Sequence, residues 1–105
     1  MNNAPLFVAL SKFEVRTEEM AEAVRQAFVE RPHLVEEADG FVRLDVIRAQ
    51  ENPREMWLLT YWRDRDAYAA WHKSHQYHDS HAGIPSGLKL FASSTQLRFF
   101  EHVAS

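Results

Sequence analysis

The hydrophobic positions of this chain change period several times, and each change predicts a new element. Residues 6–15 are apolar at both parities, with Phe7, Ala9, Ser11, Phe13 and Val15 on one face and Leu6, Val8 and Leu10 on the other. That pattern describes a strand covered on both sides. The period then lengthens, and Met20, Val24, Ala27 and Phe28 make one helical stripe. Thr17 is placed to cap that helix, and Glu18 and Glu19 put negative charge where its dipole favours it. Pro32, which has no amide donor, kinks or ends the helix and leaves residues 33–37 as a short extra turn before Asp39-Gly40.

Residues 41–48 and 56–62 are two runs rich in β-branched, leucine and aromatic side chains. The segment between them has turn chemistry at Asn52-Pro53, so the pair reads as a hairpin. Asp64 is a cap for a second helix, with Asp66 in its first turn and Ala67, Tyr68 and Trp71 turned inward as it runs toward a group of histidines. Gly83, Pro85 and Gly87 break the pattern into a loop whose composition permits a defined lid over residues 83–89. A last strand covers residues 95–103. The order β-α-β-β-α-β predicts an α+β, ferredoxin-like antiparallel sheet with two helices on one face. Leu6, Val8 and Leu10 make the other face apolar, so a second copy packed sheet to sheet is the simplest cover and closes a dimeric α/β barrel.

Composition narrows the class. A chain of 105 residues, 46% apolar and 26% charged, fits one domain spanning residues 1–105. It has no Cys, which removes disulfides, thiolate nucleophiles and iron–sulfur clusters and leaves His, carboxylate or Tyr to hold any metal. The start lacks the basic residues of a signal peptide, and the apolar run at residues 6–10 is too short to span a bilayer. A cytoplasmic location and no membrane partner are the expectations. With 12 Lys+Arg against 15 Asp+Glu and no basic run, no nucleic-acid partner is expected either.

Four of the six histidines, His72, His75, His78 and His81, recur at every third residue, with His33 and His102 elsewhere. On an unbroken helix each such step turns about 300°, so His72 and His81 end on opposite sides and the four cannot share one metal. His81 has the strongest claim to chemistry, because it precedes Gly83 and lies between small Ser80 and Ala82, which leave room for a flat ligand. A neutral imidazole nitrogen is also the natural iron ligand in a chain without Cys. Trp57, Trp62 and Trp71 are the second enrichment; the first two read as core, while Trp71 fits either core or a cavity wall between helix and sheet. Ser11 interrupts an apolar face, either bonding back to the chain or facing a pocket. No specific Ser-His-Asp order and no Gly-rich phosphate loop is present.

These residues resemble the antibiotic biosynthesis monooxygenase family, and within it the IsdG-type haem-degrading monooxygenases. The resemblance is carried by Trp57-Leu58-Leu59-Thr60-Tyr61-Trp62, Ala67-Tyr68-Ala69-Ala70-Trp71, Lys73-Ser74, and His81 ten residues after Trp71, with Ala9-Leu10-Ser11-Lys12-Phe13 and Asp39-Gly40-Phe41 in the matching places. It implies a homodimeric ferredoxin-like barrel with a cavity between helices and sheet in each subunit. It also implies that His81 binds haem iron and that Trp71 presses on the macrocycle. The distal asparagine of the haem degraders corresponds here to Ser11, a shorter side chain, which separates binding haem from turning it over. His72, His75 and His78 are outside the family pattern.

The leading expectation is therefore a monooxygenase that oxidises haem, with Ser11, Trp71 and His81 at the site and electrons from an external donor. The alternatives are cofactor-independent oxidation of a phenolic or quinol-like aromatic small molecule, and a non-catalytic dimeric ligand-binding module.

Overall fold

A computed structural model describes residues 5–31, 33–74 and 96–105. The elements run β1 (Phe7–Glu14), α1 (Glu18–Val29), a 3-10 turn (Val35–Glu37), β2 (Phe41–Arg48), β3 (Glu55–Trp62), α2 (Arg65–His72) and β4 (Gln96–Glu101). They form one sheet in the order β2-β3-β1-β4, and every neighbouring pair is antiparallel. This is the ferredoxin-like arrangement. Pro32, His75, His78, His81 and the loop at residues 83–89 lie outside the described residues.

Local chemistry sets the helix starts. The Thr17 hydroxyl accepts from the Met20 amide at 3.1 Å, and the Asp64 carboxylate accepts from the Ala67 amide at 2.9 Å. Each satisfies one of the amides that a helix N-terminus leaves without a partner. The turn into β2 depends on Gly40, whose φ is +83° and where a Cβ would stand 2.5 Å from the Ala67 Cβ. The Gly40 carbonyl accepts from the Arg63 amide at 2.6 Å, which joins this turn to the segment leading into α2.

The helix-covered face has two separate cores. One, beneath α2 and the 3-10 turn, gathers Ala9, Val35, Trp62, Ala67, Tyr68 and Trp71. The other, beneath α1, gathers Val15, Ala21, Val24 and Met56, with Phe13, Phe28 and Val46 packed against it. Fully burying a Val or Met side chain contributes roughly 1.5–3 kcal/mol. The register lays a row across the sheet between these cores: Leu97 opposite Ser11, Ser11 opposite Leu58, Leu58 opposite Val46. Ser11, Leu58 and Leu97 belong to neither core.

Strand parity places Leu10, Lys12, Trp57, Leu59, Tyr61 and Phe100 on the opposite face. Trp57 therefore departs from the sequence expectation of a core residue. It is offset from Trp62 by five positions, an odd number, so the two indoles lie on opposite sides of β3. Trp57 is half-buried, with Lys12 Nζ 5.7 Å from its ring centroid and its indole N–H donating to Glu55 at 2.7 Å. Arg43 over Tyr61 and Arg98 over Phe100 make similar cation–aromatic contacts at 4.7 and 4.8 Å. The α2 helix also ends sooner than the histidine spacing suggests, at His72, where Lys73 caps it through its amide to the Ala69 and Trp71 carbonyls.

Candidate functional site

Ser11 is at the centre of β1, half-buried, between Ala9 of the α2 core and Phe13 of the α1 side. Among the described residues its hydroxyl has no hydrogen-bond partner, so it does not bond back to the chain. Its neighbours in the row are apolar, and Leu97 is 52% exposed. The strip Leu97-Ser11-Leu58 is thus an apolar row with a hydroxyl in the middle, lying between two helix-covered cores.

The wall on the α2 side is aromatic. Trp62 is 1% exposed and meets Phe41 and Tyr68 edge-on at 5.4 and 5.9 Å. Its indole N–H, the polar atom of a fully buried ring, donates to Thr60 Oγ1 at 2.9 Å. Trp71 is 7% exposed and lies against Trp62 with centroids 6.5 Å apart and planes tilted by 34°. Phe7, Tyr68 and Phe99 form a triangle with centroid separations of 5.3–5.4 Å, which carries the wall out to β4.

Of the candidates read from sequence, Ser11 and Trp71 therefore share the helix-covered face, whereas His81 lies outside the described residues. His72 is exposed and its ring stands 4.4 Å from Tyr68. His33 Nδ1 is 2.6 Å from a Glu36 carboxylate oxygen that also takes Arg31 at 2.8 Å. Burial pushes the Glu36 carboxyl upward, but the His33 hydrogen bond and the Arg31 charge outweigh it and leave the group below its ordinary value. His102 Nε2 is 3.0 Å from the Ser105 hydroxyl. No group of three or more His, Asp or Glu side chains able to hold a metal occurs among the described residues.

Sequence reasoning passed over Thr60, Leu58 and Leu97. A signal for Thr60 was present, since it interrupts the apolar run of β3 as Ser11 interrupts β1. Leu58 and Leu97 become site residues only through their register with Ser11, which depends on strand pairing.

The row thus sets one hydroxyl among apolar side chains beside an aromatic core, on a ferredoxin-like sheet. The model of the antibiotic biosynthesis monooxygenases matches residues 6–83. The chain belongs to the antibiotic biosynthesis monooxygenase family. Solved structures agree on the fold. An antibiotic biosynthesis monooxygenase assignment from Bordetella bronchiseptica superposes with a TM-score of 0.79 at 14% identity, over 95% of this chain and 99% of that one. The haem degrader MhuD of Mycobacterium tuberculosis, with two haems bound in its active site, superposes with a TM-score of 0.75 at 23% identity, over 94% of this chain and 97% of that one. Protein SO0527 of Shewanella oneidensis gives a TM-score of 0.69 at 17% identity, over 95% and 93% of the two chains. No curated protein matches the sequence. No helix among the described residues is long and apolar enough to cross a membrane.

Proposed function

We propose that this family member is a haem-binding monooxygenase of the haem-degrading type, working as a cytoplasmic homodimer with an external electron donor. The observation that carries the reading is the strip Leu97-Ser11-Leu58, left between two cores with an unpartnered hydroxyl at its centre. A half-buried hydroxyl without a partner favours a ligand that supplies an acceptor. Leu58 and Leu97 offer an apolar bed, and His81, chosen on sequence since it lies outside the described residues, is the residue that would hold the iron through a neutral imidazole nitrogen. Haem bound there would supply the redox iron together with the ring to be oxidised. Trp71 would bear on the ring from α2, Ser11 would donate its Oγ proton to an acceptor above it, and the leucines would keep bulk water from the reacting face. The haems bound by MhuD on the same fold support this reading.

Homodimer formation is proposed through the opposite face, where Leu10, Trp57, Leu59, Tyr61 and Phe100 are half-buried or exposed in the single chain. Adding haemin to the purified protein tests the main reading. A Soret band that forms with the wild type and is greatly weakened in His81→Ala is expected, and no band with the wild type would end it.

A second reading has its own support. Trp71 is 7% exposed and packed on Trp62, a position that suits a wall more than a ring-distorting wedge. That favours cofactor-independent oxidation of a phenolic or quinol-like molecule, in which the chain excludes water and orients substrate and oxygen. Oxygen uptake by metal-free protein with such a substrate is its signature, and strict dependence on haem rejects it.

A further inference from the structure

We infer that Thr60 is a positioning residue for Trp71, acting through the buried indole of Trp62. The inference rests on the proposed role of Trp71 at the ligand, but its first test needs no ligand. Trp62 has one polar atom, its indole N–H, and 1% exposure leaves that atom little access to water. Thr60 Oγ1 accepts from it at 2.9 Å, across two positions of the same strand face. Flipping or tilting the indole would strand a buried donor, so the hydroxyl selects one orientation from those that packing alone would permit. That orientation is passed on, because Trp71 rests against Trp62 at 6.5 Å and 34° within a single core. Phe41 and Tyr68 meet the same indole edge-on and limit where it can go. Thr60 lies on the covered face, opposite Ala9 and diagonal to Ser11, so the two hydroxyls have separate tasks: Ser11 faces the strip, while Thr60 holds the wall.

Thr60→Val keeps the shape and removes the acceptor, whereas Thr60→Ser keeps the acceptor. The Trp62–Trp71 pair is close enough to give an exciton couplet in the far-ultraviolet circular dichroism of the haem-free protein. Thr60→Val is expected to lose at least half of that couplet while the helical signal stays, and Thr60→Ser to retain it. An unchanged couplet in folded Thr60→Val would overturn the inference. If Thr60→Val does not fold, the double variant with Trp62→Phe decides: recovery of folding once the indole N–H is gone supports the link, and continued failure overturns it. With haemin, Thr60→Val is expected to shift the Soret maximum and Thr60→Ser to restore it. Absence of a Soret band in the wild type would strike the haem reading alone, because the couplet still reports on Thr60.

Discussion

The two ends of the covered face are built from different materials. Beneath α1 the buried core is aliphatic and thioether, Val15, Ala21, Val24 and Met56, and the rings packed against it, Phe13 and Phe28 stacked at 6.4 Å, likewise carry no polar atom to direct. Beneath α2 it is aromatic, with Trp62, Tyr68 and Trp71 in edge-on and tilted contacts and a hydrogen bond from Trp62 to Thr60. Packing without polar atoms is non-directional and tolerates repacking, whereas a buried donor that must keep its acceptor fixes an angle. The difference teaches a division of labour. The α1 end holds the sheet, and the α2 end holds a set of buried rings in a defined orientation. The helix caps follow the same division, since α1 starts on a neutral hydroxyl and α2 on a carboxylate.

The largest effect should come from cutting the aromatic end. Trp62→Ala is expected to cost about 3–5 kcal/mol in denaturant unfolding and to remove any Soret band. Gly40→Ala strikes the same end through the backbone, because φ is +83° and the new Cβ would collide with the Ala67 Cβ. A loss of about 1–3 kcal/mol is expected from the same assay. Val24→Ala, at the aliphatic end, should cost about 1.6 kcal/mol from two lost methyl-sized groups while haemin affinity stays within twofold of wild type. If it abolished haemin binding as fully as Trp62→Ala, the division of labour would be wrong.

The smallest effects separate the caps. Thr17→Ala should cost about 1 kcal/mol with no change in the pH dependence of unfolding. Asp64 behaves otherwise. The Ala67 amide, and then the neighbouring Arg63, hold its carboxyl below the ordinary value. Its contribution is therefore complete above the ordinary carboxylate value and is lost as pH falls through the lower folded-state value. In an NMR titration the Ala67 amide should move with that protonation and the Met20 amide should not. Asp64→Asn should keep the cap and remove the titration.

Much of the fold was legible because local chemistry and period agreed. Thr17, Asp64 and the boundaries of β2 need only capping and alternation to be read, and the structure bears them out. Trp57 reads as core when a large aromatic is weighed by type alone, although its odd offset from Trp62 puts it on the other face. The end of α2 at His72 was hidden because nothing in Lys73-Ser74 is a strong breaker. Ser11 was legible as an interruption, but its apolar neighbours Leu58 and Leu97 were not, since they arrive from strands far away in sequence.

The strip between the two cores can be tested directly with gallium protoporphyrin, a diamagnetic analogue of haem, added to protein with labelled leucine methyl groups. A porphyrin seated there shifts the methyl resonances of Leu58 and Leu97 strongly through its ring current and leaves those of Leu10 and Leu59, on the far side of the sheet, close to their starting positions. Shifts confined to Leu10 and Leu59, or absent from all four, would contradict the account.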